Sequence, residues 1–462
     1  MTPARAVCLA ALVLLAPVSL RAASDDRTAL DRYVAAPDPS YHYEVVSSAS
    51  ADGVTASVLR LTSQTWLTEK EVDHTVWQHW LTVVRPANVS SSKALLFISG
   101  GSRDRAAPKA PDGNLVMIAK ATNTVVAELR GVPNQPLVFA GEHEGRSEDA
   151  LIAYSWDHFL RTGDERWPAR LPMTKAAVRA MDAVTSFCAS PEGGGVKVDS
   201  FVVAGASKRG WTSWTTAAVD KRVVGVIPIV IDTLNVRRTS AHHYAAYGFY
   251  APSLHDYVEM KIMDWAGTPQ YAALLKIEEP YEYRQRLTMP KFIINSAGDQ
   301  YFPPDNSQFY FSDLPGVKYL RYVPNTDHSL EGSDAAQTVL SCYAAVVSGA
   351  PLPQFAWTWP AEGTVRVESE TKPVEVKLWQ AINPNARDFR LESVGKIWKS
   401  SAVTGTGGAY ESTVEKPAKG FTAYFLELTY PGPLGEKGRP YKFTTQVKVV
   451  PDVLPYKLPE KK

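Results

Sequence analysis

The sequence predicts an α/β fold: a doubly wound, mainly parallel sheet with a helical insertion and a C-terminal β-sandwich domain. Three observations predict it. Short apolar runs alternate with helical stretches from about residue 93 to 348, the rhythm of strands buried on both faces by helices. The texture changes after Pro351, Pro353 and Pro360, and β-rich segments punctuated by Gly and Pro follow. The apolar strand Phe201-Val202-Val203 runs into Gly205-Ala206-Ser207-Lys208-Arg209-Gly210, and a helical segment follows from Trp211 to Val219.

The elements read in order as follows. An entry helix over Thr28 to Tyr33 precedes alternating β segments at Tyr41 to Ser48, Val54 to Thr65 and Trp77 to Arg85. These predict the antiparallel start of a larger sheet. Ala94 to Ile98 is a buried strand ending in Gly100-Gly101, Asn114 to Thr122 a helix, and Thr124 to Leu129 another strand. Ser147 to Thr162 and Met173 to Cys188 read as helices. Strands follow at Ser200 to Val203, Val223 to Ile231, Lys291 to Asn295 and Val317 to Val323, then a helix over Ser333 to Ser348. Residues 233–290 break this rhythm with helical, aromatic-rich chain and predict a lid. Strands at Val365 to Ser369, Val374 to Gln380, Ile397 to Ser401, Phe421 to Tyr430 and Tyr441 to Val450 form the expected sandwich. The organisation expected is an export signal over 1–23, a catalytic-type domain over 24–358 and a β-sandwich over 359–462.

Composition bounds the function. With 45% hydrophobic residues the chain can bury a sizeable core, and a formal charge of +1 with no basic stripe argues against a nucleic-acid partner. Arg5, the apolar run Ala6 to Ser19 and the small residues Ala22-Ala23-Ser24 read as a cleaved export signal. The protein is therefore expected in the periplasm or secreted, with no stable membrane insertion after cleavage. Cys188 and Cys342 then remain, and the sequence leaves open a disulfide or two buried thiols. Most of the 12 Trp and 21 Tyr read as core, with a binding groove the alternative. His242-His243 lacks partner ligands nearby and reads as lid or pocket. No cofactor or metal is expected.

The strand, the Gly-x-Ser turn and the helix make the layout of a nucleophile elbow, which exposes Ser207 above the sheet. Asp299 follows one strand and His328 another. Serine, aspartate and histidine in this chain order form the triad of an α/β-hydrolase. Serine is a weak nucleophile until a base takes its proton; His328 is the expected base and Asp299 the acid that orients it. Asp232, Asp305 and Asp327 are rivals for the acid. The oxyanion hole is expected from the Lys208 amide and from Gly100 and Gly101, where glycine lets backbone approach substrate. The usual elbow has glycine two residues after serine; here Arg209 stands there and Gly210 follows.

Four stretches carry a resemblance to the PhoPQ-activated pathogenicity-related protein family of the α/β-hydrolase superfamily. They are Glu148 to Trp156; Trp167 to Met173 with Val178 to Asp182; Gly205 to Trp211; and Asp299 to Phe302 through Pro304 to Ser307, Arg321 to Asn325 and His328 to Leu330. The resemblance spans most of the mature chain and implies an exported hydrolase-fold protein with Ser207, Asp299 and His328 as triad. It implies little about substrate. Gly205 to Trp211 is also similar to the elbows of glucuronoyl esterases, which points to an ester of an acidic sugar. The expected partner is a small-molecule, peptide or saccharide-ester substrate, with peptidase or amidase slightly preferred over esterase by fold analogy. The alternative is a non-catalytic binding or signalling protein on a hydrolase shell.

Overall fold

The computed structural model describes residues 27–435 and 439–458. The expected export segment and the Lys461-Lys462 tail lie outside the described residues.

The chain enters through α1 (Ala29–Ala35), which Thr28 and Asp31 cap reciprocally. Three long antiparallel strands follow: β1 (His42–Ala51), β2 (Val54–Thr65) and β3 (Val76–Pro86). Then come β4 (Lys93–Ile98), α2 (Gly113–Thr122), β5 (Val126–Arg130), α3 (Glu148–Thr162) and α4 (Arg170–Ala189). The elbow strand β6 (Ser200–Ala206) leads into α5 (Lys208–Val219), followed by β7 (Val223–Ile229).

The segment between β7 and β8 (Lys291–Ser296) is helical, as expected. It holds α6 (Val236–Tyr247), α7 (His255–Glu259), α8 (Pro269–Glu278) and short 3₁₀ turns. Thr268 caps α8 by accepting from the Tyr271 amide, with Pro269 at the first helical position. Next come β9 (Lys318–Val323) and α9 (Ala335–Ser348).

The central strands run parallel in the order β5-β4-β6-β7-β8-β9, with β3 antiparallel to β5. One face packs on α1, α3, α4 and α5 through residues such as Leu151, Met181 and Trp214. The other packs on α2 and α9 through Ile118, Leu340 and Tyr343. This two-sided burial explains the near-continuous apolar strands β4, β6 and β7. Cys188 and Cys342 are buried free thiols in the cores on opposite faces. The sheet between them leaves the disulfide alternative without support.

The C-terminal chain departs from expectation. It contains β10 (Phe355–Thr358), β11 (Thr364–Ser369), β12 (Glu375–Asn383), β13 (Lys399–Ala402), β14 (Ala409–Thr413), β15 (Phe421–Tyr430), β16 (Tyr441–Thr444) and β17 (Lys448–Val450). Strands β10, β11 and β14 make a small separate sheet. The others extend the central sheet through β16, whose Thr444 pairs with Leu320 of β9, so the expected sandwich is not detached from the rest. The Thr444 hydroxyl also accepts from the Tyr322 amide at 3.1 Å. Without β16, β9 would be an exposed edge, a pairing hazard that the contact removes. Periodicity carries no information about which distant strand covers an edge. The single strand expected over 441–450 is split because both β16 and β17 pair with β15.

Candidate active site

Ser207 sits at φ 58° and ψ −127°, between β6 and α5. A non-glycine residue there carries strain of order 1–3 kcal/mol, held by its surroundings. Its amide donates to Ile229 O at 2.8 Å and its carbonyl accepts from the Trp211 amide at 3.0 Å. The two glycines of the motif have definite tasks. A Cβ on Gly205 would lie 2.7 Å from Arg209 O, and one on Gly210 would lie 2.9 Å from both Gly205 O and the Ile231 side chain. Gly210 thus permits the helix-on-sheet contact.

The Arg209 side chain instead leaves the elbow. Its Nε donates to Val132 O at 2.5 Å, and its Nη1 and Nη2 grip Glu148 at 2.8 and 2.6 Å. Lys208 Nζ lies 2.8 Å from the same carboxylate and 3.3 Å from Asp149. Glu148 is itself at φ 54°; its amide donates to Gln135 Oε1, and the Gln135 side-chain amide donates back to its carboxylate. Burial by itself would raise the Glu148 carboxyl, but Arg209 and Lys208 outweigh it and hold it down at about 2. The cations flanking the serine are therefore anchors for the elbow. Their partners are legible in hindsight, since two adjacent buried cations demand counter-charges.

The residues expected as base and acid, His328 and Asp299, are in contact. His328 Nδ1 lies 2.8 Å from Asp299 Oδ2. Asp299 is buried, and its other oxygen accepts from the Tyr301 amide at 2.8 Å. The His328 amide donates to Gln300 Oε1 at 3.0 Å. His328 Nε2 is buried with no hydrogen-bond partner. The Tyr301 ring packs on the imidazole at 4.4 Å and Phe302 at 6.0 Å, measured between centroids.

The rival acids are occupied elsewhere. Asp305 binds His242 Nε2 at 2.9 Å and Arg387 Nη2 at 2.7 Å. Asp327 accepts from the Ser329 amide and hydroxyl. Asp232 accepts from the hydroxyls of Tyr310 and Tyr322 at 2.6 and 2.7 Å. Burial, reinforced by Asp299 and Asp305, outweighs these bonds and pushes the Asp232 carboxyl up to about 8.

Ser207, Lys208, Tyr301 and Phe302 line one cleft. Trp156, Trp211, Tyr257 and Tyr271 supply much of its apolar wall, so part of the aromatic content does form a groove. His243 lines it too; burial first, then Arg390 and His242, push its imidazole down to about 3. Its Nε2 accepts from the Ala251 amide at 2.9 Å, which makes it a neutral bracket for the wall. Gly100 and Gly101 line a different cavity. A Cβ on Gly100 would lie 2.5 Å from Arg209 Nη2, so that glycine makes room for the elbow's arginine.

Sequence reading missed how the acid and base loops are held. The Leu391 amide donates to Gly298 O at 2.9 Å, one residue before Asp299. Asn325, three residues before His328, donates to Trp398 O at 2.9 Å and accepts from the Trp398 amide at 3.0 Å. With Arg387 on Asp305, the chain between β12 and β13 braces both loops.

A family model for the PhoPQ-activated pathogenicity-related protein matches residues 30–390. The chain belongs to that family. The family's α/β-hydrolase expectation agrees with the strand order and elbow described above. The chain is similar to autocrine proliferation repressor protein A of Dictyostelium discoideum, 37% identical across 96% of this chain and 94% of that one. Among solved structures, it is similar to acetyl xylan esterase 1 from Thermoanaerobacterium sp., at 15% identity over 69% of this chain and 91% of that one, with TM-score 0.46. It is also similar to a glucuronoyl esterase from Solibacter usitatus, at 15% identity over 69% and 91%, with TM-score 0.41. Pyrococcus horikoshii acylaminoacyl peptidase matches at 12% identity over 67% and 50%, with TM-score 0.40. At such identities and TM-scores these likenesses carry no conclusion about chemistry.

Proposed function

We propose that this family member is an exported serine hydrolase that cleaves an ester or amide bond through an acyl-enzyme. Two observations support the reading together: a strained, cleft-lining Ser207, and a His328–Asp299 couple, bonded through Nδ1, whose Nε2 is buried and unpartnered. In this reading His328 Nε2 takes the Ser207 proton as Oγ attacks the substrate carbonyl. Asp299 holds the Nδ1–H tautomer and stabilises the imidazolium. The imidazolium then returns the proton to the leaving group, and water repeats the sequence to release the acyl group.

The Lys208 amide, at the start of α5, is the first oxyanion donor, and the helix N-terminus adds favourable field. The expected second donors, Gly100 and Gly101, line the other cavity and take no part in this reading. The 233–290 insertion acts as the lid, supported by Tyr257, Tyr271 and His243 in the cleft wall. The aromatic wall favours a bulky apolar group beside the scissile bond, and both esters and peptides satisfy it. Residues 1–23 support the periplasmic or secreted placement, which the mass of the mature chain tests. No helix among the described residues is long and apolar enough to cross a membrane.

The test is turnover of aromatic and aliphatic p-nitrophenyl esters and peptide anilides by wild type and Ser207→Ala. Release of p-nitrophenol or nitroaniline by wild type alone, with both proteins folded, supports the reading. The name of the Dictyostelium relative favours a second reading, a signalling protein on a hydrolase shell. Under that reading Ser207→Ala keeps full biological effect.

A further inference from the structure

A second cavity opens at the C-terminal ends of β4 and β5, and it shares no wall residue with the cleft that holds Ser207. Four arginines line it: Arg60 from β2, Arg130 from the end of β5, and Arg103 and Arg105 from the loop after β4. No aspartate or glutamate does. The carboxylates that orient these arginines stand off the wall. Glu44 pairs with Arg60, Glu128 with Arg130 at 2.8 Å, and both Asp73 and the neighbouring Asp104 with Arg103, at 3.2 and 3.6 Å. Each such pair occupies part of a guanidinium that carries five donors.

Two features leave donors unspent. Arg103 Nη1 is buried with no hydrogen-bond partner. Arg105 makes no ion pair among the described residues, and its side chain is exposed. Its backbone is nevertheless fixed, because the amide donates to Ser102 O and the carbonyl accepts from Trp80 Nε1 at 2.8 Å. That bond also sets the half-buried Trp80 ring in the cavity wall. His79 adds no charge: its ring nitrogens lie 3.0 Å from Gly131 O and from Ser63 Oγ, and burial pushes its imidazole down to about 4.

We propose that this cavity is a second ligand site, for a small molecule bearing oxyanion groups, either carboxylates or the tetrahedral phosphate or sulfate. Planar guanidinium forks match both geometries, and four of them line one concave wall. Trp80 provides a stacking face for the body of such a ligand. The site is independent of turnover at Ser207, so its test needs no substrate.

The experiment is calorimetric titration of the full chain with inorganic phosphate, inorganic sulfate and trigalacturonate. Saturable binding by at least one is expected, weakening as salt rises from about 50 to about 500 mM. Binding of phosphate or sulfate alone assigns tetrahedral ligands, and binding of trigalacturonate alone assigns carboxylates. Arg105→Gln is expected to weaken binding about tenfold, and Arg60→Gln/Arg105→Gln further, with thermal melting confirming both folds. The idea is overturned by a folded protein that binds none of the three, or by affinity that the double variant retains.

Discussion

The two halves of the candidate site are held by opposite means. The nucleophile half is built from contiguous chain: β6, the turn and α5 place Ser207, and Gly205 and Gly210 make the packing possible. Its distant anchors include Glu148, Asp149 and Val132, through Lys208 and Arg209. The acid–base half rests on two loops with little regular structure of their own. Those loops are pinned by residues 387–398, chain that has already passed through β12. The lesson is that the C-terminal strands continue the central sheet and return a brace to the candidate site.

Several experiments break or sharpen this contrast. The largest effect is chemical. Asp299→Asn is expected to lower turnover by about 10⁴-fold while thermal stability changes little, because the wrong His328 tautomer is then favoured. A steady-state assay on any substrate found for wild type checks it.

Next in size is Arg387→Gln. Asp305 would stay buried with its main cation gone, and loss of one partner of such a pair costs about 3–5 kcal/mol. Burial opposes the Asp305 charge, and Arg387 and then His242 more than offset that, keeping the carboxyl well below its usual range. Urea unfolding reads the loss.

A smaller effect is expected at Asn325→Ala. It removes both hydrogen bonds to Trp398, about 1 kcal/mol each. A loosened His328 loop lowers kcat about tenfold with KM nearly unchanged. A variant that changes KM alone would argue that the brace shapes the cleft and leaves the base in place.

A further effect is the pH dependence set by Asp232. Its folded-state carboxyl titrates near 8. As pH rises past the usual carboxylate range, the unfolded chain releases this proton while the folded protein keeps it. Stability therefore falls between about pH 4 and 8 on this account, and is unaffected below that window. Asp232→Asn, with a tyrosine hydroxyl turned to accept, removes this contribution. Melting temperatures across pH 5–8 should decline less steeply in the variant than in wild type.

The contrast also explains what the sequence reveals. The parallel sheet, its helices and the elbow are legible because each is written in adjacent residues: a period, a small-residue turn, a following helix. Asp299 and His328 are legible by chain order and by their places after strands. The brace is not, because Asn325 meets Trp398 73 positions away and Asp305 meets Arg387 82 positions away. Neither pair has a local pattern. The role of Gly100 is hidden for a similar reason: only the fold reveals that Arg209 fills the space a side chain there would need. β10 and β14 escape notice as strands of 4 and 5 residues, too short to show a period.

Intact-mass labelling with a fluorophosphonate probe tests the central claim most directly, applied to wild type, Ser207→Ala and His328→Ala. The account predicts a single adduct on wild type, none on Ser207→Ala, and strongly slowed labelling on His328→Ala. A folded wild-type protein that takes up no adduct, or an adduct that persists in Ser207→Ala, would contradict it.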